Sequence, residues 1–261
     1  MQTLQTSDAT LHIRDEGPRD GRVVVFANSL GTDLRVWEAV LPLLPAGLRI
    51  VRFDKRGHGL SDVTPAPYAM DTLVCDAETL CDGLGLRDVT FVGLSIGGLI
   101  GQGLAAKRPD LIRALVLMDT AAKIGTAEMW NTRIATIRAN GIASLEGPIM
   151  ERWFTAPFRT ENPDYALWCN MLKRTTVDGY VGCCAAIAGA DLTETTRALT
   201  IPVLALAGDQ DGSTPPDLVR ATAALCHADF HLIADAGHIP CVEQPGATAK
   251  LLTDFLERTA P

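Results

Sequence analysis

Phe91-Val92-Gly93-Leu94-Ser95-Ile96-Gly97-Gly98 is the stretch whose reading decides the fold. It contains Gly-x-Ser-x-Gly, preceded by the β-branched and aromatic run from Asp88 to Leu94 and followed by small residues and leucines from Gly97 to Lys107. A strand that turns at once into a helix leaves the serine at the tip in a strained conformation, with its hydroxyl held clear of the backbone. Glycines two residues to either side make room, because a Cβ at those places would crowd the turn. The pattern alone is common. The strand before it and the helix after it make Ser95 a candidate nucleophile rather than a packing turn.

The same alternation extends outward in both directions. Toward the N-terminus, Leu4-Gln5 and Thr10–Asp15 read as a hairpin turned around Ser7-Asp8. Arg22–Asn28 reads as a buried strand, and the loop Ser29–Asp33 leads to an expected helix through about Leu44, stopped by Pro45 and Gly47. Arg49–Asp54 is the next strand, then the Gly-rich loop Lys55–Asp62, and a helix over Met70–Leu84. Beyond the elbow, Ile112–Met118, Pro202–Gly208 and Phe230–Ile233 read as strands, with helices over Asp217–Cys226 and Ala247–Arg258. Strands alternating with helices on both sides of Ser95 predict an α/β protein with a mainly parallel, doubly wound sheet.

The alternation fails between about 122 and 200. This segment has no strand pattern, several helical stretches (Glu128–Ala139, Ile142–Trp153, Tyr165–Arg174, Gly179–Ala188) and Trp130, Trp153 and Trp168. Residues 1–121 and 201–261 therefore read as two parts of one core, and residues 122–200 as a helical cap inserted between core strands. It leaves from a strand's C-terminal end, where open α/β sheets bind ligands, so it reads as a lid rather than an appendage packing only on itself.

Composition narrows the partners. In 261 residues, 23 Lys and Arg stand against 31 Asp and Glu, a formal net charge of -8. That argues against nucleic acid or an anionic membrane as the main partner, and it requires a local cation wherever an anionic substrate binds. There is no signal-peptide pattern at Met1–Asp8 and no apolar run long enough to span a bilayer. The seven cysteines are scattered and odd in number, with neither a disulfide framework nor a zinc spacing. They read as reduced, mostly buried thiols in a cytoplasmic protein, either monomeric or a small homo-oligomer. Cys241, three residues after His238, is a weaker nucleophile candidate than Ser95.

A serine hydroxyl needs a base, and the base needs an acid to orient it. Asp209 and Asp211 lie in the loop after the strand Pro202–Gly208, and His238 in the loop after the last strand. In a parallel sheet both loops share the edge that carries Ser95. The other histidines read as structural: His12 and His231 in strands, His227 at a helix end, and His58 in Asp54-x-Arg56-Gly57-x-Gly59-x-Ser61. The backbone N–H of Ile96, next to the nucleophile, is the expected first oxyanion donor.

From about Val23 to Leu256 the chain resembles the α/β-hydrolase family in strand order, elbow and order of Ser, Asp and His. The family's Gly-x-x-Asp-x-x-x-Pro loop is matched by Gly208, Asp211 and Pro215, so the resemblance implies Asp211 as the acid and leaves Asp209 as a turn carboxylate. It also implies a second oxyanion donor after the strand Arg22–Asn28. Many relatives carry His-Gly-x-Pro there; this chain has Asn28-Ser29-Leu30-Gly31-Thr32, which puts the donor at the N–H of Leu30 by position and removes the usual histidine.

Asn28–Thr32, Gly-Leu-Ser-Ile-Gly-Gly, the cap stretch Thr120–Arg133 and Arg152-Trp153-Phe154-Thr155 resemble the 3-oxoadipate enol-lactonases of bacterial aromatic degradation. The resemblance implies a small anionic lactone as substrate, 3-oxoadipate as product, and neither metal nor organic cofactor. Ser29, Trp130, Arg133 and Trp153 are the candidate substrate contacts. Trp130, Ile134 and Ile137 share one helical face with Arg133 at its border, where a cation could pair with the substrate carboxylate; Arg138 and Lys123 are rivals. The same three catalytic groups would also serve a general carboxylesterase or a cofactor-free perhydrolase, and the fold alone would allow a small-molecule receptor.

Overall fold

The continuous apolar runs of the sequence become the middle of an eight-stranded sheet, buried on both faces as parallel strands require. The computed structural model describes residues 1–260. In chain order the strands are β1 Gln2–Gln5, β2 Thr10–Glu16, β3 Arg22–Ala27, β4 Leu48–Phe53, β5 Val89–Leu94, β6 Ile112–Met118, β7 Val203–Gly208 and β8 Asp229–Ile233. Their order across the sheet is β1-β2-β4-β3-β5-β6-β7-β8. Only the N-terminal hairpin runs antiparallel: β1 to β2, and β2 to β4. From β4 onward every pair is parallel.

This order positions the site. The chain winds from β3 out to β4, then returns past β3 to β5, so the winding reverses between β3 and β5. Ala27 lies opposite Gly93 across that pair. The loop after β3 and the turn after β5 therefore emerge side by side at the switch point, where such sheets open a crevice. Beyond β5, Leu94 faces Met118, Met118 faces Leu206, and Gly208 faces Ile233. The residues that follow β5, β6, β7 and β8 are thus brought to one edge.

Helices α1 (Met70–Gly83), α2 (Ile96–Lys107), α9 (Pro216–Leu225) and α11 (Pro245–Arg258) agree with the sequence reading to within a residue or two. The expected helix through Leu44 does not form; two 3₁₀ turns, Leu34–Trp37 and Leu41–Leu43, take its place. Pro42 has no N–H to return to Glu38, so an α-helix cannot continue through it. Asp33 caps the first turn by accepting from Arg35 N.

Between β6 and β7 the chain is helical: α3 (Ala127–Asn140), α4 (Glu146–Trp153), α5 (Ala156–Glu161), α6 (Tyr165–Arg174), α7 (Val177–Ala188) and α8 (Thr193–Arg197). The single helix expected over Ile142–Trp153 is divided into a 3₁₀ turn, Ile142–Leu145, and α4. Pro148, tolerated only in a first turn, makes the helix start afresh at Glu146. Helices α5, α8 and α10 (Pro240–Glu243) are four to six residues long, too short for periodicity to reveal. The segment has its own apolar centre, where Phe154 stacks on Phe158 at 4.6 Å and meets Trp168 at 6.1 Å. Among the described residues no helix is long and apolar enough to cross a membrane. All seven cysteines are free, six of them buried.

Candidate active site

Ser95 joins β5 to α2 with φ 58° and ψ -118°, a left-handed backbone that a serine adopts only under constraint. The constraint is visible on both sides. A Cβ at Gly93 would lie 2.3 Å from Gly97 O, and one at Gly97 would lie 2.2 Å from Ala27 O. Ser95 N donates to Met118 O at 2.9 Å, and its carbonyl accepts from Thr120 Oγ1 at 2.6 Å. The sharp turn is therefore fixed by β3, β6 and the start of its own helix.

The loop after β7 and the loop after β8 bring a carboxylate to an imidazole. His238 Nδ1 lies 2.9 Å from Asp211 Oδ2, and both side chains are buried. Asp211 also accepts from Ser213 N at 2.7 Å, Thr214 N at 3.1 Å and Thr214 Oγ1 at 2.6 Å. Burial works against its ionisation, but the charge and hydrogen bond of His238 and the donors from Thr214 and Ser213 outweigh it and hold the carboxyl below the usual range. Asp209 is exposed and accepts from Ala236 N at 3.2 Å, a turn bond that ties the two loops. His238 Nε2, the nitrogen left free to take a proton, has Ser29 Oγ at 3.5 Å. Cys241 is fully buried, and burial pushes its thiol well up, which is the opposite of an activated nucleophile.

Leu30 and Ile96 are buried residues, and among the described residues neither backbone N–H donates to a protein acceptor. One free donor on the loop after β3 and one at the first turn of α2 are thus available to a group from outside the chain. The Gly-rich loop braces the first of them. Lys55 Nζ donates to Ser29 O at 2.6 Å and Thr32 O at 3.3 Å, and Gly31 N donates to His58 Nε2 at 2.9 Å. His58 is therefore structural, but its work is at the site: burial, with Lys55 adding to it, holds the ring far below its ordinary pKa, so Nε2 stays an acceptor.

Lys55 is completely buried, and desolvation lowers it from 10.5 to about 8. Between those values the unfolded chain holds a proton that the folded chain has released, so stability gains from this group as pH rises from 8 to 10.5. The full relief is on the order of 3 kcal/mol at 1.36 kcal/mol per unit. Urea midpoints measured across that range should climb less for Lys55→Met than for the unaltered chain; parallel curves would mean that Lys55 is not the titrating group.

The helical segment meets the loops that carry these groups. Arg152 O accepts from Gly212 N at 3.4 Å and Trp153 O from His238 N at 2.9 Å. Glu243 accepts Thr155 N at 2.9 Å and Thr155 Oγ1 at 2.7 Å on one oxygen, and Gly237 N at 2.6 Å on the other. Residues 152–155 thus form a backbone strap across the acid and base loops. The Trp153 ring reaches the loop after β3 as well: a Cβ at Gly31 would lie 3.1 Å from Trp153 Cη2, 3.1 Å from Tyr180 Cε2 and 2.8 Å from Leu172 Cδ1.

The other expected contacts separate clearly. Trp130 is buried, but its indole N–H donates to Ile124 O at 2.6 Å. Arg133 is half-buried, stacks its guanidinium 4.7 Å from the Trp130 ring centroid, and lies near Tyr180, whose phenol burial raises and Arg133 lowers. Lys123 pairs with Asp191 at 3.0 Å on the surface, and Arg138 is exposed. Of the three cations, Arg133 alone is half-buried; Lys123 and Arg138 are exposed. Tyr180 and Leu172 sit on α7 and α6, in stretches whose sequence predicts helix, but helical spacing does not tell a residue beside Gly31 from one in the interior of the helical segment.

A family model described as alpha/beta hydrolase fold matches residues 22–245. The chain is 35% identical to 3-oxoadipate enol-lactonase 2 of Acinetobacter baylyi, over 94% of this chain and 92% of that protein. The crystal structure of the enol-lactonase from Burkholderia xenovorans superposes with a TM-score of 0.94 at 34% identity, covering 98% of this chain and all 100% of that one. A thermophilic esterase from Thermogutta terrifontis, solved with malate bound, has a TM-score of 0.92 at 26% identity, covering 100% of this chain and 99% of its own.

Proposed function

The chain belongs to the α/β-hydrolase family, and we propose that it hydrolyses 3-oxoadipate enol-lactone to 3-oxoadipate, with Ser95 as nucleophile, His238 as base and Asp211 as the acid that orients it. The observation that carries the reading is the buried His238–Asp211 pair on the sheet edge that holds the strained Ser95, beside the two unpartnered N–H groups. The lactone specificity is supported by end-to-end similarity to two enol-lactonases.

His238 takes the Ser95 proton through Nε2 as Oγ attacks the lactone carbonyl. The carbonyl oxygen becomes an oxyanion, met by the N–H groups of Leu30 and Ile96. Collapse breaks the ring C–O bond and expels an enolate oxygen, a far better leaving group than an alkoxide; the proton held by His238 passes to it, and the enol tautomerises to the ketone. Water, deprotonated by His238, then attacks the acyl-enzyme carbonyl, and Ser95 leaves with the proton returned. Asp211 stays ionised throughout and stabilises the imidazolium.

The substrate's acetate side chain needs a cation in a protein of net charge -8. Arg133 is the cation we assign to it, on the support of its half-buried position beside Trp130 and Tyr180. The esterase neighbour that holds malate, a dicarboxylate, is consistent with an anion site in this architecture. The direct test follows the loss of the enol-lactone's ultraviolet absorbance with purified protein, beside phenyl acetate. Turnover of phenyl acetate alone would favour a general carboxylesterase instead. Arg133→Ala should lower kcat/KM on the carboxylated lactone by about 10², the lower part of the range for removing one partner of a buried charge pair, while leaving phenyl acetate nearly unaffected. Equal losses on both substrates would take Arg133 out of the substrate site.

A further inference from the structure

Behind the His238–Asp211 pair lies a second carboxyl that the mechanism above does not use. Asp119 follows β6 with φ 44° and is completely buried. One oxygen, Oδ1, accepts from Gly208 N at 2.8 Å; the other, Oδ2, is buried with no hydrogen-bond partner among the described residues. One ligating atom from each of Asp119, Asp211 and His238 falls within 4.8 Å of the other two. We propose that Asp119 is a neutral carboxylic acid whose proton is directed at Asp211, and that it is a reserve acid, placed to orient His238 when Asp211 is removed. The proposal rests on the Ser95–His238–Asp211 reading.

The charge balance leads there. Two buried carboxylates a few ångströms apart cannot both ionise with a single imidazole beside them. Asp211 is the one supplied with donors: Ser213 N and Thr214 N on Oδ1, Thr214 Oγ1 and His238 Nδ1 on Oδ2. Asp119 has one backbone donor. The titratable groups beside it are Asp211 on the loop after β7, His238 on the loop after β8, and Cys241 and Glu243 on α10; no lysine or arginine is among the groups that chiefly act on it. Burial first, then the charge of Asp211, hold its carboxyl well above the usual range. A proton on Oδ2 also turns that orphaned acceptor into a donor and removes the one unsatisfied polar atom of the cluster.

When Asp211 loses its charge, the main repulsion on Asp119 disappears. Asp119 then ionises more readily, within reach of the same imidazole. Sequence alone gives a weak sign of this residue: a single aspartate closing the apolar run Ala114–Met118.

The experiment uses phenyl acetate, so that it does not depend on the lactone specificity, and compares D119N, D211N and the double variant. Asn at 119 keeps the acceptor for Gly208 N and a donor toward Asp211, so kcat should fall only about three- to tenfold, the worth of one altered hydrogen bond. D211N should fall by about 10², and the double variant by the roughly 10⁴ seen when an orienting carboxylate is lost without replacement. D211N activity should also fail toward acid at a higher pH than the unaltered enzyme, because its orienting carboxyl is now the one that ionises less readily. Independently of turnover, the infrared spectrum of the unaltered protein at neutral pH should contain a protonated-carboxyl stretch that D119N deletes. D119N losing as much as D211N, D211N no better than the double variant, or no band lost in D119N would each overturn the proposal. Full activity in D211N, with the band intact, would instead sink the assignment of Asp211 and leave the neutral Asp119 standing.

Discussion

Ser95→Ala should abolish turnover of both enol-lactone and phenyl ester, lowering kcat by about 10⁶, the size of loss that follows removal of a serine nucleophile working with its base. The fold should survive. The Ser95 side chain does not hold the elbow; its backbone does, through Ser95 N to Met118 O and Thr120 Oγ1 to Ser95 O. Alanine also tolerates the left-handed φ no worse than serine does, so the substitution leaves the strain as it was. The measurement is steady-state turnover beside a thermal midpoint. An unchanged midpoint with retained activity would remove Ser95 from the chemistry, and with it the roles given to His238 and Asp211.

Much of this arrangement was legible in the sequence, for reasons that can be stated residue by residue. The apolar runs Val23–Ala27, Val89–Leu94 and Val203–Gly208 are buried along their whole length, so composition alone announced them as inner parallel strands. Gly93 and Gly97 marked the elbow because nothing larger fits there. Asp211 was separable from Asp209 only through a family resemblance; in space the difference is plain, one carboxylate at the imidazole and one at a turn. What stayed hidden depends on contacts between segments far apart in the chain. Nothing near Glu243 indicates that it grips Thr155, and nothing near His58 indicates that it receives Gly31 N. Tyr180 and Leu172 belong to helices whose apolar residues serve cap core and site wall alike, and periodicity cannot divide them.

The strap over 152–155 changes what the cap does. A lid that only shielded the site could move without disturbing the chemistry. Here Trp153 O receives the N–H of His238 itself, and Arg152 O that of Gly212, one residue after Asp211. The loops holding Asp211 and His238 are thus finished by backbone of the helical segment, and the ring of Trp153 lies beside Gly31 in the loop after β3. The position of residues 152–155 and the geometry of the His238–Asp211 pair are mechanically linked.

Gly208→Ala tests how little slack that unit has. Gly208 ends β7 where the acid loop crosses the base loop, and a Cβ there would lie 2.0 Å from Gly237 O, 2.5 Å from Ala236 O and 2.9 Å from Ala236 C. All three are backbone atoms, so no side chain can swing aside. Gly237 in turn is held from beneath by Glu243 and its neighbour His238 by Trp153 O, so the base loop cannot retreat without breaking those bonds. Relief of the overlap needs roughly an ångström of movement between Asp211 and His238. A misplacement of that size costs about 10² in rate, and overpacking against backbone about 1–3 kcal/mol in stability. The expected result is therefore a fall of about 10² in kcat with KM nearly constant on either substrate, together with a lowered urea midpoint. Gly85→Ala, where nothing lies within 4 Å of the added carbon, separates the two effects: it should share some loss of stability through its φ of +62° but leave kcat alone. A Gly208→Ala enzyme with full kcat would show that the acid and base loops are not locked to each other, and that the strap is packing without consequence for the chemistry.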